Sequence, residues 1–275
     1  MGPCHHSTPL ASCRRTAFDR VAALYDRAAD VQQAVGRRLL NFLQQHLGSF
    51  LPPAPRILEI GAGTGLYTRL LLRRFPSARI TALDPSRQML RRLLHQLDSP
   101  LVSIRPLALP PQSSRQRPYD LVTSNCALHW TEDLPAVFQR LHALAGAGTG
   151  LAFSIMVRGT FPEVRAVVRR VAPAKSHPAD LPDPAAVIAG LRAAGWKLEG
   201  QVEEDFTVFY PDARTMLATL HRQGVTAGRY STRPPGLNRT ELRRFLDEYN
   251  ERFRSRRGVR LSYRVLLAAA RKTVP

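Results

Sequence analysis

Residues 57–65 read Ile-Leu-Glu-Ile-Gly-Ala-Gly-Thr-Gly, an apolar run that passes directly into three closely spaced glycines. A helical pattern follows up to Phe75, so the sequence predicts a strand, a glycine-rich turn and a helix in succession. Glycine lacks a Cβ atom, which permits a tight turn and lets a ligand touch the backbone. The N-terminus of the next helix offers unpaired N–H groups. The stretch therefore predicts a ligand-binding loop.

The spacing of these glycines distinguishes between the known types of nucleotide-binding motif. Leu66 occupies the last glycine position of the dinucleotide pattern, and no Gly-Lys-Ser/Thr sequence of a phosphate-binding P-loop occurs. Asp84 ends the next apolar run, where a carboxylate can accept hydrogen bonds from both ribose hydroxyls. Taken alone, the glycines are compatible with a plain turn and Asp84 with an acid at a helix N-terminus. Taken together, they predict nucleoside binding.

Apolar runs alternate with amphipathic stretches through the first half of the chain, which predicts a doubly wound α/β fold with a mostly parallel sheet. The predicted strands are 56–60, 79–83, 101–105, 119–124 and 150–157, with helices at 64–75, 86–97 and 133–144. Helices at 18–25 and 31–47 precede them. After Val157 the pattern predicts a helix at 161–171, a second helix that ends at about residue 195, a third at 212–223 and a fourth from Asn238 to about 254. Strands are predicted at 196–210 and 259–270.

Length and composition predict a globular protein. The chain has 275 residues, of which 44% are hydrophobic, and no apolar run approaches the roughly 18 residues needed to cross a bilayer. We therefore expect no membrane association, and because residues 1–15 lack the apolar stretch of a secretory signal we expect a cytoplasmic location. The three cysteines are expected to be free thiols, and the spacing of Cys4, His5, His6 and Cys13 matches no standard metal site.

The chain is strongly basic, with a formal net charge of +19 from 37 arginines and three lysines against 21 acids. Solvated charged faces of an arginine-rich sequence explain such a balance, and so does attraction to an acidic partner. Nucleic acid and an acidic carrier protein would each be such a partner, and charge alone does not distinguish between them.

The glycine loop and Asp84 resemble the motifs of class I methyltransferases, which bind S-adenosyl-L-methionine. Residues 119–125, Tyr-Asp-Leu-Val-Thr-Ser-Asn, resemble the fourth-strand motif of that class. The resemblance implies a seven-stranded Rossmann-like sheet, Glu59 facing the methionine ammonium, and Asn125 beside the transferable methyl group. The implied cofactor-binding residues are Glu59, Gly61, Ala62, Gly63, Gly65, Asp84 and Asn125.

A closer resemblance covers about residues 18–271. The matching segments are Phe18-Asp19-Arg20, Tyr25-Asp26, Ala29-Asp30-Val31-Gln32, residues 124–130, 151–154, 159–163 and Leu261-Ser262-Tyr263. In type, order and spacing they are similar to the malonyl-acyl-carrier-protein O-methyltransferases of biotin synthesis. The resemblance implies methylation of the free carboxylate of a malonyl thioester, with an acidic acyl carrier protein as partner.

Four residues are candidates for the substrate site. Trp130 and His129 each carry an N–H group that could donate to a carboxylate, Tyr25 could close over the cofactor, and the Arg158 guanidinium could bind the carboxylate or the thioester end. Ordinary core or surface roles are the alternatives for each of them.

We expect a disordered segment at 1–15, a helical cover at 16–54, the cofactor-binding core at 55–210, a helical lid at 211–258 and a closing strand with a tail at 259–275. Arginines of the lid would dock the acidic carrier: Arg229, Arg233, Arg239, Arg243 and Arg244.

Two departures from the family pattern leave rival functions open. Arg105 stands where an adenine-binding acid would align, and residues 176–182 lack an expected asparagine and arginine. These departures motivate the rival of a family member that binds cofactor or carrier without turnover. Residues 124–130 leave open methylation of another small carboxylic acid, and the positive charge leaves open methylation of RNA or DNA. Residues 124–127 read Ser-Asn-Cys-Ala, which differs from the motif of base amino methylation and disfavours the nucleic-acid rival.

Overall fold

The fold was analysed in a computed structural model, and the structure describes residues 18–97, 99–110, 117–175, 181–224 and 236–273. Its centre is a single mixed sheet whose main path has seven strands in the order β3-β2-β1-β4-β5-β8-β6, with β7 pairing to β8. The strands are β1 (Arg56–Ile60), β2 (Arg79–Leu83), β3 (Val102–Arg105), β4 (Leu121–Asn125), β5 (Gly150–Met156), β6 (Lys197–Tyr210), β7 (Arg254–Ser255) and β8 (Gly258–Arg271).

The first five strands are parallel, as their connecting helices require. Strand β5 is buried at every position, which fits its central place in the sheet. The path runs outward from β1 to β3 on one side and from β4 onward on the other, so β1 and β4 flank the point where the strand order reverses. Ligands of open α/β sheets bind at the carboxyl ends of the strands at this point.

Eight α-helices are described: α1 (Asp30–Leu47), α2 (Leu66–Arg74), α3 (Arg87–Gln96), α4 (Leu134–Leu144), α5 (Pro162–Val171), α6 (Pro184–Ala193), α7 (Ala213–Arg222) and α8 (Arg239–Phe253). Several begin at the capping residues that the sequence contains. Ser86 accepts from the Met89 N–H at the start of α3, and Asn238 forms a reciprocal capping box with Glu241 at the start of α8. These caps explain why the predicted helix starts agree closely with the structure.

Two hydrophobic clusters cover the two faces of the sheet. One packs α1, α2, α7 and α8 against the sheet, and the other packs α4 and α6 against the opposite face. The long strands β6 and β8 pair antiparallel along almost their whole length, which completes the sheet beyond β5. Helices on both faces of a mostly parallel sheet confirm the predicted fold class.

Local differences from the prediction occur at the ends of elements. The predicted helix over 18–25 is shorter in the structure, because helical backbone ends at residue 21 and a 3₁₀ turn at Tyr25–Arg27 follows. The proposed division into a cover, a core, a lid and a closing strand stays a prediction. Within the residues described, no helix combines the length and apolarity required to cross a membrane.

Candidate active site

The glycine loop after β1 makes a tight turn that is fixed by its own backbone hydrogen bonds. Its three glycines have left-handed φ angles of 71° at Gly61, 54° at Gly63 and 87° at Gly65. The N–H groups of Gly61 and Ala62 both donate to the carbonyl of Leu83, at 2.8 and 2.9 Å, which fixes the loop to the end of β2. A Cβ atom on Gly63 would meet no atom within 4 Å, so this glycine faces open space. A ligand can therefore approach the backbone there.

Asp84 lies beside this loop at the end of β2. Its Oδ2 accepts from the Gly63 N–H at 2.9 Å, and its Oδ1 accepts from the Ser86 N–H at 2.8 Å. Burial raises the pKa of Asp84 to about 6, although both backbone hydrogen bonds lower it. The carboxylate is thus held rigidly at the mouth of the loop, in the place predicted for an acceptor of ribose hydroxyls.

Glu59 is almost completely buried in β1. Its Oε2 accepts from the Thr68 hydroxyl at 2.7 Å, and burial raises its pKa to about 8. A nearby cation would lower that pKa and favour the ionised form. The predicted proximity of Glu59 to a methionine ammonium is compatible with this environment and stays a prediction.

Asn125 joins three elements at the end of β4. Its Nδ2 donates to the Gln32 carbonyl of α1 at 2.9 Å, and its Oδ1 accepts from the Ser154 hydroxyl of β5 at 2.8 Å. The next residue, Cys126, has a left-handed φ of 52°, and its N–H donates to Ser154 Oγ at 2.9 Å. The Asn125 amide is therefore engaged within the protein, so its contribution at this point is to hold the strand ends and α1 together.

A cavity that opens to solvent lies next to these strand ends. Its lining combines aromatic, apolar and uncharged polar side chains from the N-terminal segment, the ends of β4 and β5, and the C-terminal half. The lining residues are Phe18, Tyr25, Gln32, Cys126, His129, Trp130, Met156, Thr160, Phe161, Leu181, Gln223 and Tyr263.

Ring contacts shape the cavity walls. Phe18 packs edge-on against Trp130 with ring centroids 5.3 Å apart, and Phe161 packs similarly against Tyr263 at 4.7 Å. Burial lowers the pKa of His129 to about 3, so its imidazole is neutral near neutral pH. Burial also raises the pKa of the Tyr25 phenol, with Cys126 and Asp84 adding to the effect. Both side chains therefore present neutral groups to the cavity.

The N-terminal segment is tied across the glycine loop by two acids. Asp19 Oδ1 accepts from the Ser86 hydroxyl at 2.6 Å, which fixes the segment to the start of α3. Asp26 accepts from the Thr64 hydroxyl of the loop and, at 2.8 Å, from Gln96 Nε2 at the end of α3. These bonds hold Tyr25 between the loop and the cavity.

A buried glutamine connects this segment to the C-terminal half. Gln223 donates from Nε2 to the Ala28 carbonyl and accepts from the Tyr263 hydroxyl of β8 at 3.4 Å. It follows directly after α7, so the cavity is enclosed by segments that are remote in sequence.

The structure brings Trp130, His129 and Tyr25 to the cavity, but it places Arg158 outside the described lining. Arg158 is largely exposed and pairs with Asp183, with Nη1 3.3 Å from Oδ2. Arg105 is exposed at the end of β3 and directs Nη1 to the Ile104 carbonyl. Residues 176–180, Arg229, Arg233 and the Cys4–Cys13 segment lie outside the described residues. In the described part of the chain, no cluster of metal-ligating side chains occurs.

Sequence reasoning assigned no role to Gln32, Phe161, Gln223 or Tyr263, all of which line the cavity. Three of them fall within the segments that carry the family resemblance, so that resemblance held a signal for the site. Gln223 lies outside those segments. Its position depends on how α7 packs, which no local motif encodes.

Comparisons with known proteins agree with this arrangement. The family model described as "Methyltransferase domain" matches residues 58–151. A malonyl-[acyl-carrier protein] O-methyltransferase from Geobacter sulfurreducens is 30% identical, over 94% of this chain and 97% of that protein. A protein of the same name from Priestia megaterium is 27% identical, over 93% and 96% of the two chains.

Solved structures show the same fold at low sequence identity. The YcgJ protein from Bacillus subtilis aligns with a TM-score of 0.56 at 14% identity, covering 87% of this chain and 100% of that one. Geranyl diphosphate methyltransferase, solved in complex with SAM, aligns with a TM-score of 0.50 at 14% identity, covering 86% and 85% of the two chains.

Proposed function

This chain belongs to the malonyl-[acyl-carrier protein] O-methyltransferase family, and from that premise we propose that it methylates the free carboxylate of a malonyl thioester on an acyl carrier protein, using S-adenosyl-L-methionine. The product would be a methyl ester that hides the carboxylate charge during chain elongation, as an early step of biotin synthesis. One observation carries the proposal: a cavity lined by aromatic and uncharged polar side chains lies next to the glycine loop, with Tyr25 between them.

The loop and Asp84 fit the nucleoside part of the cofactor. Gly63 leaves open space beside the backbone, and the Asp84 carboxylate stands at the loop mouth to accept ribose hydroxyls. S-adenosyl-L-methionine would supply an electrophilic methyl group at the cavity. We assign cofactor contacts to Glu59, Gly61, Ala62, Gly63, Gly65 and Asp84, with Asn125 holding the strand ends beside them.

The reaction requires orientation more than proton transfer. A malonyl carboxylate is already ionised near neutral pH, so it attacks the methyl carbon without a general base. The neutral His129 and protonated Tyr25 fit the role of neutral hydrogen-bond donors, and Trp130 offers an indole N–H on the same wall. Holding the nucleophile in line with the methyl group is worth about 7–11 kcal/mol in well-oriented reactions.

Exposed arginines of helix α8 are candidates for contacts with an acidic carrier protein. Helix α5 begins directly after the cavity residue Phe161 and packs against α8. Two acids of α8 are engaged by neighbouring cations: Glu241 lies 2.6 Å from Lys175 Nζ, and Glu248 lies 2.7 Å from Arg170 Nε. Helix α8 exposes Arg239, Arg243, Arg244 and Arg252 together with the acids Asp247 and Glu251, and the three arginines of its first two turns form one surface. We propose that this surface, called the α8 arginine face, docks the carrier and lets its prosthetic arm reach the cavity.

The test incubates the purified protein with S-adenosyl-L-methionine and malonyl-carrier protein, with free malonate and RNA as parallel acceptors. Mass spectrometry should show the mass gain of one methyl ester on the malonyl carrier and none on RNA. Gain on free malonate alone would favour a methyltransferase for small acids, and no gain on any acceptor would overturn the proposed activity.

A further inference from the structure

The described wall of the cavity consists entirely of uncharged side chains. Its polar members are Tyr25, Gln32, Thr160, Gln223 and Tyr263, together with the thiol of Cys126, the imidazole of His129 and the indole of Trp130. Burial raises the pKa of the Cys126 thiol to about 12, so this group is also neutral. The chain has 37 arginines, yet the described lining uses hydrogen-bonding groups and aromatic rings instead.

Such a wall is an unusual environment for a carboxylate. An ionised carboxylate that leaves water loses solvation, and neutral donors compensate for only part of that loss. Opposite charge at short range provides the remainder most effectively where water is excluded. In this protein the adjoining nucleoside site, formed by the glycine loop and Asp84, is where a cationic cofactor would supply that charge.

Building on the proposed function, we infer that the described wall of the acceptor cavity supplies no counter-charge, so that a carboxylate binds tightly only when the neighbouring cofactor is positively charged. The wall supplies shape and neutral hydrogen bonds, and the cofactor supplies the counter-charge. Methyl transfer then forms the bond from the carboxylate oxygen to the methyl carbon and breaks the methyl–sulfur bond, whose electron pair stays on sulfur. The ester and the thioether are both neutral, so charge no longer holds the product in the cavity.

Binding measurements test this coupling without turnover. Isothermal titration calorimetry would measure malonyl-pantetheine binding to protein saturated with one of two cofactor analogues. Sinefungin carries an amine-bearing carbon in place of the sulfonium, whereas S-adenosylhomocysteine is a neutral thioether. We expect binding about tenfold or more tighter in the sinefungin complex. The methyl ester of malonyl-pantetheine, which lacks the negative charge, should bind the two complexes with similar affinity.

A cation placed in the wall should supply the missing counter-charge when the cofactor is neutral. Gln32 lines the cavity, and its Oε1 is buried and has no hydrogen-bond partner among the described residues, so Gln32→Lys breaks no described hydrogen bond of that atom. We expect Gln32→Lys to tighten malonyl-pantetheine binding to the S-adenosylhomocysteine complex by about tenfold or more. Gln33→Lys is the matched control, because Gln33 is adjacent on α1 and directs Nε2 to the Asp26 carbonyl outside the cavity lining. Its affinity for malonyl-pantetheine in the same complex should stay that of the unmodified protein.

The outcomes separate this inference from the proposed function. Turnover of malonyl-carrier protein together with equal binding to both complexes overturns the charge coupling while the activity stands. The charge coupling is also overturned if the methyl ester prefers the sinefungin complex as strongly as the malonyl form does, because the preference would then not depend on carboxylate charge. Absence of both turnover and malonyl-pantetheine binding overturns the proposed function and the coupling with it.

Discussion

The hydroxyl of Thr68 lies 2.7 Å from Oε2 of Glu59 and donates to a carboxyl group that is only 1% exposed. Burial raises the pKa of Glu59 to about 8 from an ordinary value near 4.5. The folded protein therefore holds a proton there that the unfolded chain releases. This contribution to stability is complete below about pH 4.5 and is lost as pH rises toward 8.

We predict that Glu59→Gln flattens this part of the pH dependence in the cofactor-free protein. At pH 8 and above, the free energy of unfolding of the variant should exceed that of the unmodified protein by up to about 4 kcal/mol. Below pH 4.5 the two should be similar. Urea unfolding at a series of pH values measures this. Parallel stability curves across the range would contradict the assigned pKa.

The glycine loop allows a matched pair of substitutions. A Cβ atom on Gly61 would lie 2.2 Å from the Ala127 Cβ, whereas one on Gly63 would meet no atom within 4 Å. Both residues have left-handed φ angles, so each change carries a backbone cost of about 1–2 kcal/mol. Only Gly61→Ala adds a steric clash inside the protein.

We therefore expect Gly61→Ala to lower the melting temperature markedly more than Gly63→Ala. In contrast, Gly63→Ala should weaken S-adenosylhomocysteine binding by about tenfold or more while the protein stays folded, because the new methyl group occupies ligand space. Thermal unfolding and calorimetry measure the two effects. Unchanged affinity in folded Gly63→Ala would show that the cofactor does not approach this glycine.

Local sequence signals predicted most of the fold. The bounds of β1 and β2 agree with the predicted strands, since an apolar run ending in a glycine loop or an acid marks a buried parallel strand. The glycine loop and its contact with Asp84 were predicted for the same reason, because their residues are close in sequence, and their cofactor contacts stay a prediction. The cavity was only partly predicted. Gln223 reaches Ala28 across 195 positions of sequence, and such a contact depends on tertiary packing.

The position of the Arg158 side chain also could not be predicted from local sequence. Its place after β5 suggested a role toward the substrate, yet Gly159 and the start of α5 direct the chain so that this side chain pairs with Asp183 at the surface. Its proposed substrate role stays a prediction. The partner that a long arginine side chain reaches depends on the local course of the backbone, and sequence spacing alone does not determine that course.

Asp26 is predicted to control cofactor exchange. Its carboxylate accepts from Thr64 of the glycine loop and from Gln96 of α3, which ties the N-terminal segment over the loop. Asp26→Ala should raise the dissociation rate of S-adenosylhomocysteine about tenfold, in line with the loss of one or two hydrogen bonds to a charged group. Asp30→Ala is the control, since Asp30 is exposed in the first turn of α1. Stopped-flow displacement gives the rates, and equal rates in both variants would show that the N-terminal segment does not control cofactor exchange.

The α8 arginine face is predicted to act on the carrier protein and not on the acyl group. Replacing Arg239, Arg243 and Arg244 with glutamate should raise the KM for malonyl-carrier protein about tenfold or more, because the reversed charges repel an acidic partner. The KM for malonyl-pantetheine should not change, since these exposed residues do not line the cavity. Added salt should weaken carrier binding to the unmodified protein and have less effect on the variant.

A second triple variant, with Arg73, Arg91 and Arg192 replaced by glutamate, makes the same change in net charge on other exposed helix surfaces. If docking depends on the α8 arginine face, this variant should retain a KM for malonyl-carrier protein within about twofold of the unmodified protein, because exposed charges beyond a Debye length of about 8–10 Å are largely screened. Steady-state kinetics at two salt concentrations distinguish the cases. An equal rise in KM for both triple variants would mean that the carrier responds to total charge, and the docking surface would then lie elsewhere or be diffuse.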